Sequence, residues 1–75
     1  MAKLPRLSGR DVIKALGKAG YTAARQKGSH VVLVKDFPEG RHAVVVPLHR
    51  EIDVGTLLEI MRQARLNRDE FLTLL

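Results

Sequence analysis

Apolar residues recur along this chain with two different periods. Val12, Ile13, Leu16 and Ala19 follow one another at helical spacing. Ser8-Gly9-Arg10-Asp11 stands before them in the capping-box pattern: the Ser8 hydroxyl can accept from the third helical N–H, and Asp11 sits favourably at the positive helix end. Gly20 is placed to stop the helix in a left-handed conformation, so a first helix is predicted over residues 9–19. The period then shortens. Residues 21–26 read as a first strand that Lys27-Gly28 breaks or bulges. Residues 29–35 hold Val31-Val32-Leu33-Val34, β-branched and too short for a helix. Asp36-Phe37-Pro38-Glu39-Gly40 reads as a turn, and residues 41–47 hold Ala43-Val44-Val45-Val46 as a third strand. Helical spacing then returns: Asp53 can cap a helix from Val54 whose inward face would be Val54, Leu57, Leu58, Met61 and Ala64. Asn67-Arg68-Asp69-Glu70 repeats the capping logic before a short final helix carrying Phe71, Leu72 and Leu75.

The predicted order is α-β-β-β-α plus a C-terminal helical turn. A three-stranded antiparallel meander packed by two helices is an α+β sandwich, and a unit of this size resembles the double-stranded-RNA-binding fold in general shape. Both long strands are apolar on both faces instead of alternating. One face should pack on the helices. The other is either buried by a third layer within the chain or left to a second copy or a partner protein.

Composition narrows the class. Seventy-five residues predict one domain over 1–75, with an apolar fraction of 45% that excludes disorder. With Tyr21, Phe37 and Phe71 as the only aromatics, the core should be aliphatic. The absence of Cys excludes disulfides, thiolate metal sites and cysteine nucleophiles, and fits a reducing cytoplasm. Met-Ala-Lys-Leu-Pro-Arg has no apolar stretch of the secretory kind, and no apolar run approaches the roughly 20 residues of a membrane span. Thirteen Lys and Arg against eight Asp and Glu give a net charge of +5, which favours polyanions, nucleic acid foremost.

Nucleotide-binding loops, zinc-protease helices and serine-hydrolase elbows are absent. His30, His42 and His49 match no common zinc spacing, and the carboxylates form no evident two-metal pair, so neither a metal nor a cofactor is expected. RNA cleavage without metal asks little of a protein. The 2′-hydroxyl of RNA attacks the adjacent phosphorus, a base takes its proton, an acid protonates the leaving 5′-oxygen, and cations offset the phosphorane charge. A histidine, with an ordinary pKa of about 6.5, suits either proton transfer. Lys27-Gly28-Ser29-His30 offers a cation, a backbone a phosphate can approach closely, a hydroxyl donor and an imidazole. The competing reading of His30 is a surface or cross-strand pairing residue. His49, after Pro47-Leu48, is a candidate second proton-transfer group or a solvated loop residue, and His42, next to Arg41 at the start of a strand, reads as a structural or surface residue. Arg25, Lys27 and Lys35 group around the first hairpin. Arg6, Arg10, Lys14 and Lys18 group on or before the first helix, as a solubilising face or as a track for an RNA backbone.

Five segments in order resemble the HicA, or YcfA-like, mRNA-interferase toxins. Residues 8–16 resemble the family's opening Ser-x-x-(Asp/Glu)-Val-(Ile/Leu) helix, and Gly20-Tyr21 its Gly-aromatic pair. Arg25-Gln26-Lys27-Gly28-Ser29-His30 resembles its Arg-x-x-Gly-Ser-His core, and Val45-Val46-Pro47-Leu48-His49 its Val-Pro-x-His segment. Residues 55–64 resemble its Gly-Thr-Leu-x-x-Ile-x-(Arg/Lys)-Gln-Ala helix, and the tail 66–72 is also family-like. The sequence departs from the family where Ala64-Arg65-Leu66 replaces the frequent Ala-Gly-Leu. The resemblance implies a double-stranded-RNA-binding-like fold, an endoribonuclease acting on mRNA, His30 as the catalytic acid or base, and a HicB-type antitoxin that covers the site. On this reading Arg25 and Lys27 bind backbone phosphate, Gly28 and Ser29 shape the phosphate site, and His49 assists. A non-catalytic RNA-binding module of the same fold, or an interaction protein using its apolar sheet face, are the alternatives.

Overall fold

The computed structural model describes residues 3–75. Its elements are α1 (Gly9–Lys18), β1 (Thr22–Lys27), β2 (His30–Phe37), β3 (Gly40–Pro47), α2 (Val54–Ala64) and α3 (Arg68–Thr73). The strands form one antiparallel sheet in the order β1-β2-β3. This is the α+β arrangement expected from the sequence.

The capping residues behave as their types dictate. Ser8 Oγ accepts from the Asp11 N–H at 3.1 Å while the Ser8 N–H donates to Asp11 Oδ2 at 3.0 Å. Asn67 and Glu70 repeat the box at α3. Asp53 accepts from both the N–H and the hydroxyl of Thr56 at the start of α2. Gly20 follows α1 with φ +98°, the left-handed stop. At the end of α2 that conformation falls on Arg65, at φ +60° the one non-glycine of positive φ among the described residues. The family's frequent glycine at this place suits such a backbone. Arg65 instead ion-pairs Glu39 and lies 5.6 Å from the centre of the Phe37 ring.

Strand ends shift from the expected bounds. β2 runs on through Phe37, and the turn shrinks to Pro38-Glu39 before Gly40. Lys27-Gly28 is no bulge within a strand. Lys27 pairs with His30, so Gly28-Ser29 is the whole hairpin turn, with positive φ at Gly28 (+59°) and not at Ser29. That is the type II′ pattern, in which glycine takes the first central position. The bulge lies earlier. Ala23 faces Leu33 and Arg25 faces Val32, leaving Ala24 as the extra residue.

The core gathers Val12, Ala15 and Leu16 of α1, Val31 and Leu33 of β2, Val44 and Val46 of β3, four residues of α2, and Phe71 of α3. Side chains alternate along a strand, so all three helices pack on the same face of the sheet. Two expectations need correction here. The inward face of α2 is Leu57, Ile60, Met61 and Ala64, whereas Val54 and Leu58 are 59% and 41% exposed. Both sets fit a helical repeat, and the sheet selects the one rotated toward β3. The core is also less purely aliphatic than composition suggests: Phe71 is its largest fully buried side chain, and the Tyr21 hydroxyl, at its edge, donates to the Ala64 carbonyl at 3.1 Å. Finally, among the described residues no element covers the second face of the sheet, and Val45 is 41% exposed there. The three-layer option is not the one adopted.

No helix among the described residues is long and apolar enough to cross a membrane.

Candidate functional site

The open face of the sheet is set by strand register. Val31 and Leu33 point into the core, so His30, Val32 and Val34 point the other way. Direct partners share a face. His30 therefore lies with Lys27, and Val32 with Arg25 on one side and Val45 on the other. The Ala24 bulge makes this possible. Tyr21 is held in the core, and strict alternation from it would turn Arg25 and Lys27 toward the helices. One extra residue reverses the parity and brings both cations onto the His30 face.

All of β1, the turn and His30 are exposed. His30, Arg25 and Lys27 have no hydrogen bond or ion pair with another side chain among the described residues. The far end of the same face is different. There Asp36 and Arg41 face each other and pair at 2.8 Å, and the Arg41 guanidinium holds the Asp36 carboxyl below its ordinary value. The open face is thus uncompensated and positive at the His30 end, neutral at the other, and apolar between, where Val32, Val34, Ala43 and Val45 lie.

His49 sits at the same end of the sheet. β3 continues past Pro47, the partner of His30, with the Leu48 N–H donating to the Ser29 carbonyl at 2.6 Å. The next carbonyl, that of His49, accepts from the Gly9 N–H at 2.9 Å. This joins the hairpin turn, the end of β3 and the start of α1. Gly9 is required for the junction, because a Cβ there would stand 2.1 Å from the Pro47 carbonyl oxygen. The imidazole of His49 is close enough to Asp53 to help hold that carboxyl low, although the Thr56 hydroxyl and N–H are the larger causes. His42 is turned to the helix face, edge-on to the Phe37 ring at 4.6 Å, where it is structural. Lys35, grouped with the hairpin cations by sequence, also faces the helices: its Nζ donates to the Ala19 carbonyl at 2.6 Å and lies over the Tyr21 and Phe37 rings.

Sequence reasoning missed a shallow groove on the opposite side of the same hairpin. It is lined by Arg10, Ile13 and Lys14 of α1, Gln26 and Val31 of the hairpin, and Leu48. The Gln26 amide crosses to the turn and donates to the Gly28 carbonyl at 3.0 Å. A glycine at the first position of a helix, right after the cap, was the one sequence signal that α1 must approach another backbone closely. Among the described residues no group of three or more His, Asp or Glu side chains is placed to hold a metal ion.

Comparison with known proteins adds one positive finding. The family model described as the HicA toxin of bacterial toxin-antitoxin matches residues 9–66, from the first residue of α1 to just past α2. A search of curated proteins gave no match.

Proposed function

The chain belongs to the HicA toxin family, and from that membership we propose that it is a metal-independent endoribonuclease that cleaves mRNA at His30. Membership itself gives it the role of a toxin with a cognate antitoxin as partner. The finer reading is carried by one observation: His30 shares the open sheet face with Arg25 and Lys27, and no carboxylate among the described residues neutralises the three.

A phosphodiester laid on this end of the sheet meets two cations and one imidazole. His30 takes the proton of the 2′-hydroxyl or delivers one to the leaving 5′-oxygen. The 2′-oxygen bonds to phosphorus as the P–O5′ bond breaks, which leaves a 2′,3′-cyclic phosphate and a free 5′-hydroxyl. Arg25 and Lys27 offset the charge that builds on the phosphorane oxygens. The Ser29 hydroxyl and the backbone at Gly28 stand beside the phosphate, and His49 is the second proton-transfer group. A HicB-type antitoxin silences the toxin by covering this face in the cytoplasm.

The test is cleavage of single-stranded RNA with and without EDTA, beside His30→Ala. Cleavage that persists in EDTA and falls about 100- to 10,000-fold in the variant is expected. RNA binding without cleavage, unchanged in His30→Ala, overturns the proposal and leaves a binding module.

A further inference from the structure

We propose that the groove between α1 and the β1–β2 hairpin is a subsite for single-stranded RNA, holding the nucleotide next to the one cleaved at His30. The inference rests on the RNA-cleaving function proposed above and adds a second contact region on the other face of the sheet. Its lining pairs two kinds of surface. Ile13, Val31 and Leu48 form an apolar floor able to take the face of a base. Arg10 and Lys14, one helical turn apart on α1, stand on the rim as cations for its phosphate. No carboxylate lines the groove; Asp11, the neighbour of Arg10, is held low chiefly by the Ser8 N–H that it caps and only to a lesser degree by Lys14. Arg10 has no ion-pair partner among the described residues. The groove exists because α1 rests toward β3, leaving the inner side of β1 uncovered and every β1 residue exposed.

The groove and His30 lie on opposite faces and meet at the hairpin end. Val31, in the floor, is the residue after His30. Leu48, also in the floor, donates its N–H to Ser29, the residue before His30. The two faces meet over the Gly28-Ser29 turn, where the Gln26 amide holds the Gly28 carbonyl and Gly28 itself carries no side chain and has nothing within 4 Å of its Cβ position. A strand passing over this turn places one phosphate at His30 and Lys27 and the next residue against Arg10 and Lys14. The open part of the turn serves as the saddle.

The probe is a hexanucleotide with 2′-O-methyl groups throughout, which keeps the charge and removes the attacking hydroxyl. In isotope-labelled wild-type protein, its binding is expected to shift the amide signals of Ile13, Lys14, Gln26 and Leu48 together with His30. Arg10→Gln/Lys14→Gln is expected to weaken binding about tenfold and to lower the salt slope by about 1.4, or about 0.7 per phosphate contact on a single strand. The control Arg6→Gln/Lys18→Gln removes equal charge outside the groove and should weaken binding far less. Shifts confined to Arg25, Lys27, His30 and Val32 would overturn the subsite. So would equal losses in the two double variants, or displacement of the hexanucleotide from the groove by an acidic peptide at lower concentration. None of these readings needs cleavage, so an inactive wild type would count against the nuclease proposal alone.

Discussion

Replacing glycine by alanine at two places in α1 should have opposite effects. Gly9 is the first residue of the helix, and a Cβ there would lie 2.1 Å from the Pro47 carbonyl oxygen and 2.9 Å from the Leu48 Cα. Both neighbours are backbone, so a side-chain rotation cannot relieve the clash. Forcing α1 off the end of β3 costs about 3 kcal/mol, the upper end for overpacking. Loss of the 2.9 Å bond from the Gly9 N–H to the His49 carbonyl adds about 1 kcal/mol. The better helix propensity of alanine returns at most about 1 kcal/mol, so the net loss is about 3 kcal/mol. Gly17 lies in the same helix with nothing within 4 Å of its Cβ position. There only the propensity gain remains, and Gly17→Ala should stabilise by about 0.5–1 kcal/mol. A domain of this length has about 4–11 kcal/mol in all, so the first change is severe and the second measurable. Urea unfolding followed by circular dichroism reads both, at about 1 kcal/mol per M of midpoint shift. Melting temperature should fall by about 12–24 °C for Gly9→Ala and rise by about 2–8 °C for Gly17→Ala. Changes of the same sign, or a Gly9→Ala midpoint equal to wild type, would refute the close contact between α1 and the end of β3.

Two further outcomes follow from local geometry. Gly28→Ala meets no neighbour but must adopt φ +59° in the type II′ turn, so it should cost about 1–2 kcal/mol in urea unfolding; a midpoint equal to wild type would remove the turn argument. Asp11 and Asp53 are held below the ordinary value of 3.8, Asp11 chiefly by the Ser8 N–H and Asp53 chiefly by the Thr56 hydroxyl. A carboxyl whose folded value lies below its unfolded one stabilises above the unfolded value and loses that contribution as pH falls through the folded one. Stability should therefore drop on the acid side of about pH 4, less steeply in Asp53→Asn, which keeps a capping side chain; an unchanged urea-midpoint profile in that variant would sink the assignment.

Local chemistry was legible in the sequence, and the relation between faces was not. Ser8 with Asp11, Asp53 and Asn67 with Glu70 announce three helix starts because each cap acts within four residues. Gly20 and Pro38 mark stops and turns for the same reason. Which side of α2 meets the sheet depends on residues far away, so Val54 and Leu58 were as good a choice as Ile60 until β3 was in place. The site shows the same division. The residues around His30 are contiguous and could be singled out, but their shared face depends on an extra residue at Ala24 that no composition signals. Arg10, Lys14 and Gln26 come together only through tertiary packing. Arg65, a departure from the family pattern, takes the left-handed helix end that glycine would fill and makes up for it with contacts to Glu39 and Phe37, neither predictable from its neighbours.

The bulge in β1 also bears on how the protein behaves in a crowded solution. β1 and β3 are the two edges of the sheet. The β3 edge is partly occupied, with the Gln63 side chain reaching the Val45 N–H at 3.4 Å. The β1 edge is bare, six exposed residues long, and would accept a strand from another chain. A kink at Ala24 and the charges of Arg25 and Lys27 are the devices that keep such an edge from templating aggregation. The cations assigned to RNA therefore also keep copies of this basic protein apart. Neutralising them would bare an adhesive strand as well as remove the phosphate contacts proposed above, so an inactive Arg25 or Lys27 variant must first be shown to remain monodisperse before its defect is counted as a lost contact with RNA.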